Sequence, residues 1–290
     1  MAQALAQVAR IASGGSLGAE RLPWSRFRYA HAHAVRTALR ETVSARTGRP
    51  LSVASVNKHL SAMRGVLREA WRLGMMDAED FHRAVDLEPV RGNSLPRGRA
   101  LEENEIAALF HICQRDPSPR GPRDATVLAL GLYGLRRSEI AGAQFDALDR
   151  DAWVLRVEGK GSKLREVPLK NGGADALRAW IEHRGEGCGP LLCPVRKGGR
   201  VDVGKISAEA IYRICMRRAA EAGVRSFAPH DLRRTFVSTL LDRGVDLAVA
   251  AKLTGHAGLD TVARYDRRDE RAKHAAAEVI TVPYVFCDSV

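Results

Sequence analysis

The sequence predicts a mostly α-helical protein with a small β-sheet. It divides into two domains, a helical one over residues 1–95 and a mixed α+β one over residues 96–290. Three observations carry that prediction. Apolar residues recur three and four apart along both halves, the helical period. That period gives way once, over residues 153–169, to the alternation of a strand pair. Residues 88–99 (EPVRGNSLPRGR) hold two Pro, two Gly and three Arg with no apolar periodicity, which places the domain boundary at about residue 95.

In the first domain, Trp24 to Ala45 contains no Gly or Pro and reads as one helix. A second runs from about Ala54 to Leu73, where Val56, Leu60, Met63, Leu67 and Trp71 form one apolar stripe. Lys58, Arg64, Arg68 and Arg72 lie opposite that stripe, a basic face suited to a phosphate backbone or to solvent. Asp77 to Val85 reads as a short third helix.

The second domain opens with helices over Glu102–Cys113 and Arg123–Leu132. Trp153–Val157 and Leu164–Leu169 then flank Glu158-Gly159-Lys160-Gly161-Ser162-Lys163, two strands around a Gly/Lys turn. Helical patterns return at 173–184, 207–222, 230–243 and 246–254, with Gly223, Gly244 and Gly255 as stop signals.

Composition narrows the function classes. The 290 residues are 45% hydrophobic and 28% charged, an ordinary globular balance. The longest nearly apolar stretch, Ala125 to Leu135, is far short of the ~20 residues a membrane span needs, and the N-terminus has no secretory pattern. Five scattered cysteines (Cys113, Cys188, Cys193, Cys215, Cys287) form no C-x-x-C pair, which argues against a disulfide scaffold or zinc knuckle and for a reducing cytosol. Lys and Arg total 46 against 34 Asp and Glu, a net charge of +12, and only eight of the cations are Lys. Residues 1–100 hold 16 basic and 8 acidic residues, so +8 of the +12 lies there. Arg forks bind phosphate through two parallel hydrogen bonds, so the excess suits DNA or RNA.

Four local signals in the second domain carry chemistry: Gly134-Leu135-Arg136-Arg137-Ser138-Glu139, Lys160 in the hairpin turn, His230-Asp231-Leu232-Arg233-Arg234, and Leu253-Thr254-Gly255-His256 followed nine residues on by Tyr265. His230 and Arg233 are three apart and share a helix face. Two Arg, one Lys and two His make a donor-rich cationic pocket without a carboxylate cluster for metal. Such a pocket suits phosphoryl transfer, where charge spreads over equatorial oxygens. A tyrosine hydroxyl can attack phosphorus covalently once cations or a base offset its reference pKa of ~10.

In their order and spacing these motifs resemble the tyrosine recombinase (phage integrase) family, whose signature is Arg, Lys, His-x-x-Arg, His/Trp and Tyr. The resemblance covers residues 100–270 most strongly, and the basic first domain resembles the family's helical core-binding, SAM-like domain. It implies Arg136, Lys160, His230, Arg233, His256 and Tyr265 as catalytic residues. Tyr265 would attack the scissile phosphate and form a 3′-phosphotyrosine, while Lys160 protonates the leaving 5′-oxygen so that it departs as a hydroxyl. Arg136 and Arg233 clamp the non-bridging oxygens, His230 takes or holds the tyrosine proton, and His256 donates to the phosphate. Glu139 orients Arg136 or His230. The phosphotyrosine keeps the energy of the broken bond, so no cofactor, metal or ATP is implied. Two positions depart from the usual pattern, Val262 where a second Thr is common and Arg267 where a His is common.

The partners implied are double-stranded DNA, three further copies of the chain in a homo-tetramer on two paired sites, and accessory DNA-bending factors, in a cytoplasmic, nucleoid-associated setting. A C-terminal tail over about residues 266–290 docks on its own domain or on a neighbour. Two other readings share the charge and the fold: a DNA-binding regulator with a vestigial active site, which forms no covalent adduct, and a type IB topoisomerase-like enzyme that nicks and reseals. A metal-dependent transposase needs a carboxylate triad on a ribonuclease-like sheet, a pattern this sequence lacks.

Overall fold

The computed structural model describes residues 1–45, 47–92, 98–159 and 164–255. The chain forms two compact units, Met1–Pro96 and Arg97–Val290. Among the described residues no helix is long and apolar enough to cross a membrane.

The first unit contains α1 (Ala2–Ala12), a 3-10 turn at Trp24–Arg26, α2 (Tyr29–Glu41), α3 (Val53–Arg72) and α4 (Ala78–Val85). Ser52 and Asp77 start α3 and α4 by accepting the backbone N–H groups of Ser55 and Glu79. The predicted stripe on α3 is the spine of this unit. Val56, Leu60, Met63 and Leu67 are buried against Val8, Val35, Leu39 and Phe81, each Leu or Met contributing roughly 1.5–3 kcal/mol. Trp71, the last of the stripe, lies at the edge and stacks on Phe81 with ring centroids 4.9 Å apart.

Three details differ from expectation. The helix predicted from Trp24 begins at Tyr29 and ends at Glu41, because Val43 pairs antiparallel with Pro50 around a turn closed by the Ser44 N–H to the Arg49 carbonyl at 2.8 Å. Helix α1 has no counterpart in the sequence reading. Its buried residues are Ala4, Val8 and Ala9, too thin an apolar stripe to register. On the basic face Lys58 and Arg68 are exposed, but Arg64 is not free for a phosphate: it donates to the Val85 carbonyl at 3.2 Å and to the Leu87 carbonyl, tying α3 to the end of α4.

The second unit runs α5 (Glu103–Arg115), α6 (Arg120–Leu132), α7 (Arg137–Gly142), a 3-10 turn at Phe145–Ala147, then β1 (Leu148–Asp149), β2 (Val154–Glu158) and β3 (Leu164–Pro168). It continues with α8 (Gly172–Arg184), α9 (Ala208–Glu221), α10 (Pro229–Asp242) and α11 (Leu247–Thr254). Helix α6 is buried on every face from Arg123 to Gly131, as a helix at the centre of its unit must be. Gly131 brings α10 close, since a Cβ there would sit 2.6 Å from Leu232 Cδ1. The wholly buried Asp124 of α6 accepts from Arg123 at 2.9 Å and from Arg218 of α9 at 2.8 Å.

The predicted hairpin is β2–β3, antiparallel, with Leu155 opposite Val167 and Val157 opposite Arg165. A two-residue strand, Leu148–Asp149, pairs on the outer edge of β2 and is too short to leave a pattern. The inward face of the sheet packs with Leu177, Trp180 and Ile181 of α8. Gly223, Gly244 and Gly255 end their helices at φ +64°, +79° and +63°, the left-handed geometry that glycine permits. Cys113, Cys188, Cys193 and Cys215 are free thiols, and burial pushes Cys113 and Cys215 up to about 12. Cys287 lies outside the described residues.

Candidate active site

The site begins where α6 stops. Gly134, at φ +82°, turns the chain out of α6 and leaves no room for a side chain: a Cβ there would lie 2.7 Å from Phe236 Cδ1 and 3.2 Å from Thr254 Cγ2. Two residues later Arg136 stands at the N-cap of α7. Its backbone N–H donates to Glu139 Oε2 at 2.7 Å, its guanidinium donates to Glu139 Oε1 at 2.7 Å, and a second guanidinium nitrogen donates to the Gly255 carbonyl at 2.9 Å. About a third of the Arg136 side chain, 32%, remains exposed. Arg136 therefore keeps donors for a ligand while two of its nitrogens fix its direction.

Glu139 is the carboxylate around which this corner is built. Burial opposes its ionisation, but hydrogen bonds from Arg165 and from the Arg136 backbone and side chain outweigh that and hold its pKa down to about 2. It stays charged at neutral pH. Arg165 of β3 meets both Glu139 oxygens, at 3.2 and 2.7 Å.

The second arginine comes from α10. Arg233 is 1% exposed and donates to the Gly134 carbonyl at 2.5 Å, so it rests on the turn that carries Arg136. His230, one helical turn earlier, reaches the surface. The protein around it withdraws it from solvent enough to penalise the imidazolium, and Arg233, Arg234 and Arg136 repel the proton further, so its pKa falls below the ordinary value. It is a neutral imidazole at pH 7. Asp231 faces the other way: it caps α10 by accepting the Ala228 N–H at 2.9 Å and accepts the Arg99 N–H at 3.2 Å.

Thus Arg136, His230 and Arg233 converge, and α11 ends at Gly255 against Arg136 and Arg165. Lys160, His256 and Tyr265 lie outside the described residues, as do Lys163, Tyr284 and the tail over 266–290. An open cleft of about 590 Å³ lies between α7 and the hairpin, lined by Arg136, Ser138, Glu139, Arg156, Glu158 and Gly159 among others. Arg165 is the site residue that sequence reasoning missed. Its signal was there, since residues 165, 167 and 169 fall on one face of the strand and the other two are apolar. Among the described residues no three His, Cys, Asp or Glu side chains gather as a metal site.

Comparison with known proteins places the chain in a family. The phage integrase family matches over residues 99–271. The tyrosine recombinase XerC of Xylella fastidiosa (strain M23) is 34% identical over 241 residues, which is 81% of this chain and 76% of that protein. The tyrosine recombinase XerD of Pseudomonas aeruginosa (strain PAO1) is 34% identical over 238 residues, 76% of this chain and 75% of the relative. Among solved structures, the Tn1549 transposon integrase in complex with transposon right end DNA superposes with a TM-score of 0.67 at 17% identity, covering 94% of this chain and 91% of that one. The XerH site-specific recombinase bound to its difH substrate superposes at 0.65 with 21% identity, covering 90% and 73%. These two share the fold: a mostly helical chain with a small three-stranded sheet. The family match spans more than half the chain and the XerC match most of it, so the chain belongs to the phage integrase family and is a tyrosine recombinase, an enzyme of site-specific DNA recombination.

Proposed function

We propose that this recombinase cuts and rejoins double-stranded DNA through a covalent 3′-phosphotyrosine on Tyr265, without metal or ATP. The observation that carries the reading is the convergence of Arg136 and Arg233 on the Gly134 turn, beside a neutral His230. Two guanidiniums approaching from different helices suit the non-bridging oxygens of one phosphate, because each presents a planar fork with charge that water cannot screen fully.

In the proposed reaction the Tyr265 oxygen attacks phosphorus and its proton passes to His230, whose lowered pKa leaves the imidazole uncharged before the transfer. The P–O bond to the 5′-oxygen breaks, and Lys160 gives that oxygen a proton. His256 donates to the phosphate as the bipyramidal state forms. The second half is the reverse attack by a 5′-hydroxyl from the partner strand, which regenerates the tyrosine. The bond count is unchanged, so no energy source enters.

Exchange between two duplexes calls for four protomers on two paired sites, with accessory DNA-bending factors where the sites lie apart, in the cytoplasm at the nucleoid. The basic excess supports DNA as the partner, and the solved relatives named above were captured on it.

The test is a nicked duplex bearing the sequence that flanks the gene, incubated with the chain and run on a denaturing gel. The wild type should form a protein–DNA adduct. Tyr265→Phe should form none while binding the duplex with nearly unchanged affinity, because only the nucleophilic oxygen is lost. An undiminished adduct in that variant would falsify the assignment, and Tyr284 would then be the nucleophile to examine.

A further inference from the structure

Strand β3 places its residues against their hydropathy. Leu164 is 75% exposed, whereas the next side chain, that of Arg165, is only 10% exposed and shares the inward face with Val157 and Val167. Burying a guanidinium costs several kcal/mol unless it is fully paired, so a fold retains one there for a reason other than packing. Its partner is Glu139, held by two parallel bonds that tie β3 to α7. Arg165 also lies against the end of α11, since a Cβ on Gly255 would sit 3.2 Å from its guanidinium. Glu139 and Gly255 are the two groups that fix the Arg136 side chain. Arg165 therefore touches both supports of Arg136 while its own side chain stays almost wholly buried.

The charges sharpen the point. Glu139 and Arg136 alone would be a neutral pair, its positive end spent on a buried carboxylate. With Arg165 the three groups carry a net positive charge, and Arg165 takes the carboxylate by its fork. The exposed part of Arg136 then keeps its field for a phosphate. We propose that Arg165 is a positioning residue for strand cleavage: by pairing with Glu139 and bracing Gly255 it fixes Arg136 and leaves its charge available to the scissile phosphate. The inference rests on the reading of Arg136 as a phosphate-binding residue.

The experiment uses the full chain and the nicked duplex described above. A second version of that duplex carries a methylphosphonate at the scissile position, which lacks one charged non-bridging oxygen. Arg165→Gln should slow adduct formation on the phosphate by on the order of 10²-fold, the cost of a displaced catalytic group, with duplex affinity little changed. On the methylphosphonate the gap to wild type should shrink, as it should for Arg136→Gln, because less charge needs offsetting. Adding Glu139→Gln to Arg165→Gln should slow the reaction no further, the non-additivity expected of one connected group. Arg165→Lys keeps the charge on one prong and should retain part of the rate. It carries the test if the Gln variant proves unfolded by thermal melting.

Wild-type rates for Arg165→Gln, or for Arg165→Lys where Gln does not fold, overturn the proposal. Equal slowing on phosphate and methylphosphonate also overturns it, because a purely structural role would not distinguish them. If instead Arg136→Gln cleaves like wild type, or the wild type forms no adduct, the reading of Arg136 fails and the role of Arg165 with it.

Discussion

At the scale of single residues, His230 and Glu139 show how the site tunes protons without unusual chemistry. Burial and the neighbouring guanidiniums lower the His230 pKa below the ordinary ~6.5, so the neutral imidazole persists into mild acid. With His230 as the base of the proposed reaction, cleavage should stay level as pH falls from about 8 to about 6.5, and drop only below that. The sign for stability agrees. Between the lowered folded value and ~6.5 the unfolded chain binds a proton that the folded chain refuses, so acid destabilises the fold through this group. Single-turnover adduct formation measured from about pH 5 to 8 checks it. An acid limb centred above the ordinary imidazole value would contradict the assignment of His230 as the neutral base. Arg136, His230 and Arg233 were legible in the sequence because each lies in a short motif whose members are neighbours on one helix or one turn. Arg165 was not, although its alternation was visible. What makes it matter is a carboxylate 26 residues away in sequence, Glu139, and contacts at that separation leave no local pattern.

At the scale of elements, the turn between α6 and α7 organises the site. It must bend sharply, present the Gly134 carbonyl to Arg233, and pass beneath Phe236 and Thr254. Only glycine meets all three demands. Gly134→Ala would add the strain of a left-handed alanine, about 1–3 kcal/mol, and an overlap with the Phe236 ring of similar cost. The chain should lose on the order of 2–5 kcal/mol of stability, read as a lower denaturant midpoint. Gly142→Ala is the control: it ends α7, meets nothing within 4 Å, and should be close to neutral. A Gly134→Ala midpoint equal to that of the control would show that this turn relaxes freely. Helix ends elsewhere were legible from Gly223, Gly244 and Gly255 because a left-handed cap needs only the residue at hand. The alanine-rich α1 and the two-residue β1 were not. Their identity comes from what packs or pairs against them, not from their own periodicity.

At the scale of the whole molecule, each unit carries its own buried core. The first unit's core is built on the α3 stripe, and the second unit's is built from the sheet with α8, the cluster around α5, α6 and α9, and the pairing of α10 with α11. Among the described residues each of these clusters is drawn from one unit alone, so removing residues 1–95 should leave the second unit folded. The charge is distributed differently from the cores. The first hundred residues hold +8 of the net +12, whereas the six proposed catalytic residues all lie beyond them. Affinity and chemistry are thus expected to separate. A chain that neutralises ~6–10 phosphates releases as many counterions and loses ~10³–10⁵ in affinity between about 50 and 200 mM salt. The full chain should show that steep dependence on duplex DNA. The chain lacking residues 1–95 should bind more weakly and with a shallower slope of log affinity against log salt, because it contacts fewer phosphates. Filter binding or fluorescence anisotropy across that salt range measures both slopes, with circular dichroism to show that the shortened chain retains its helices. Equal slopes and equal affinities for the two chains would mean that the first unit is not a DNA-binding surface, and the basic face of Lys58 and Arg68 would then be only solvated.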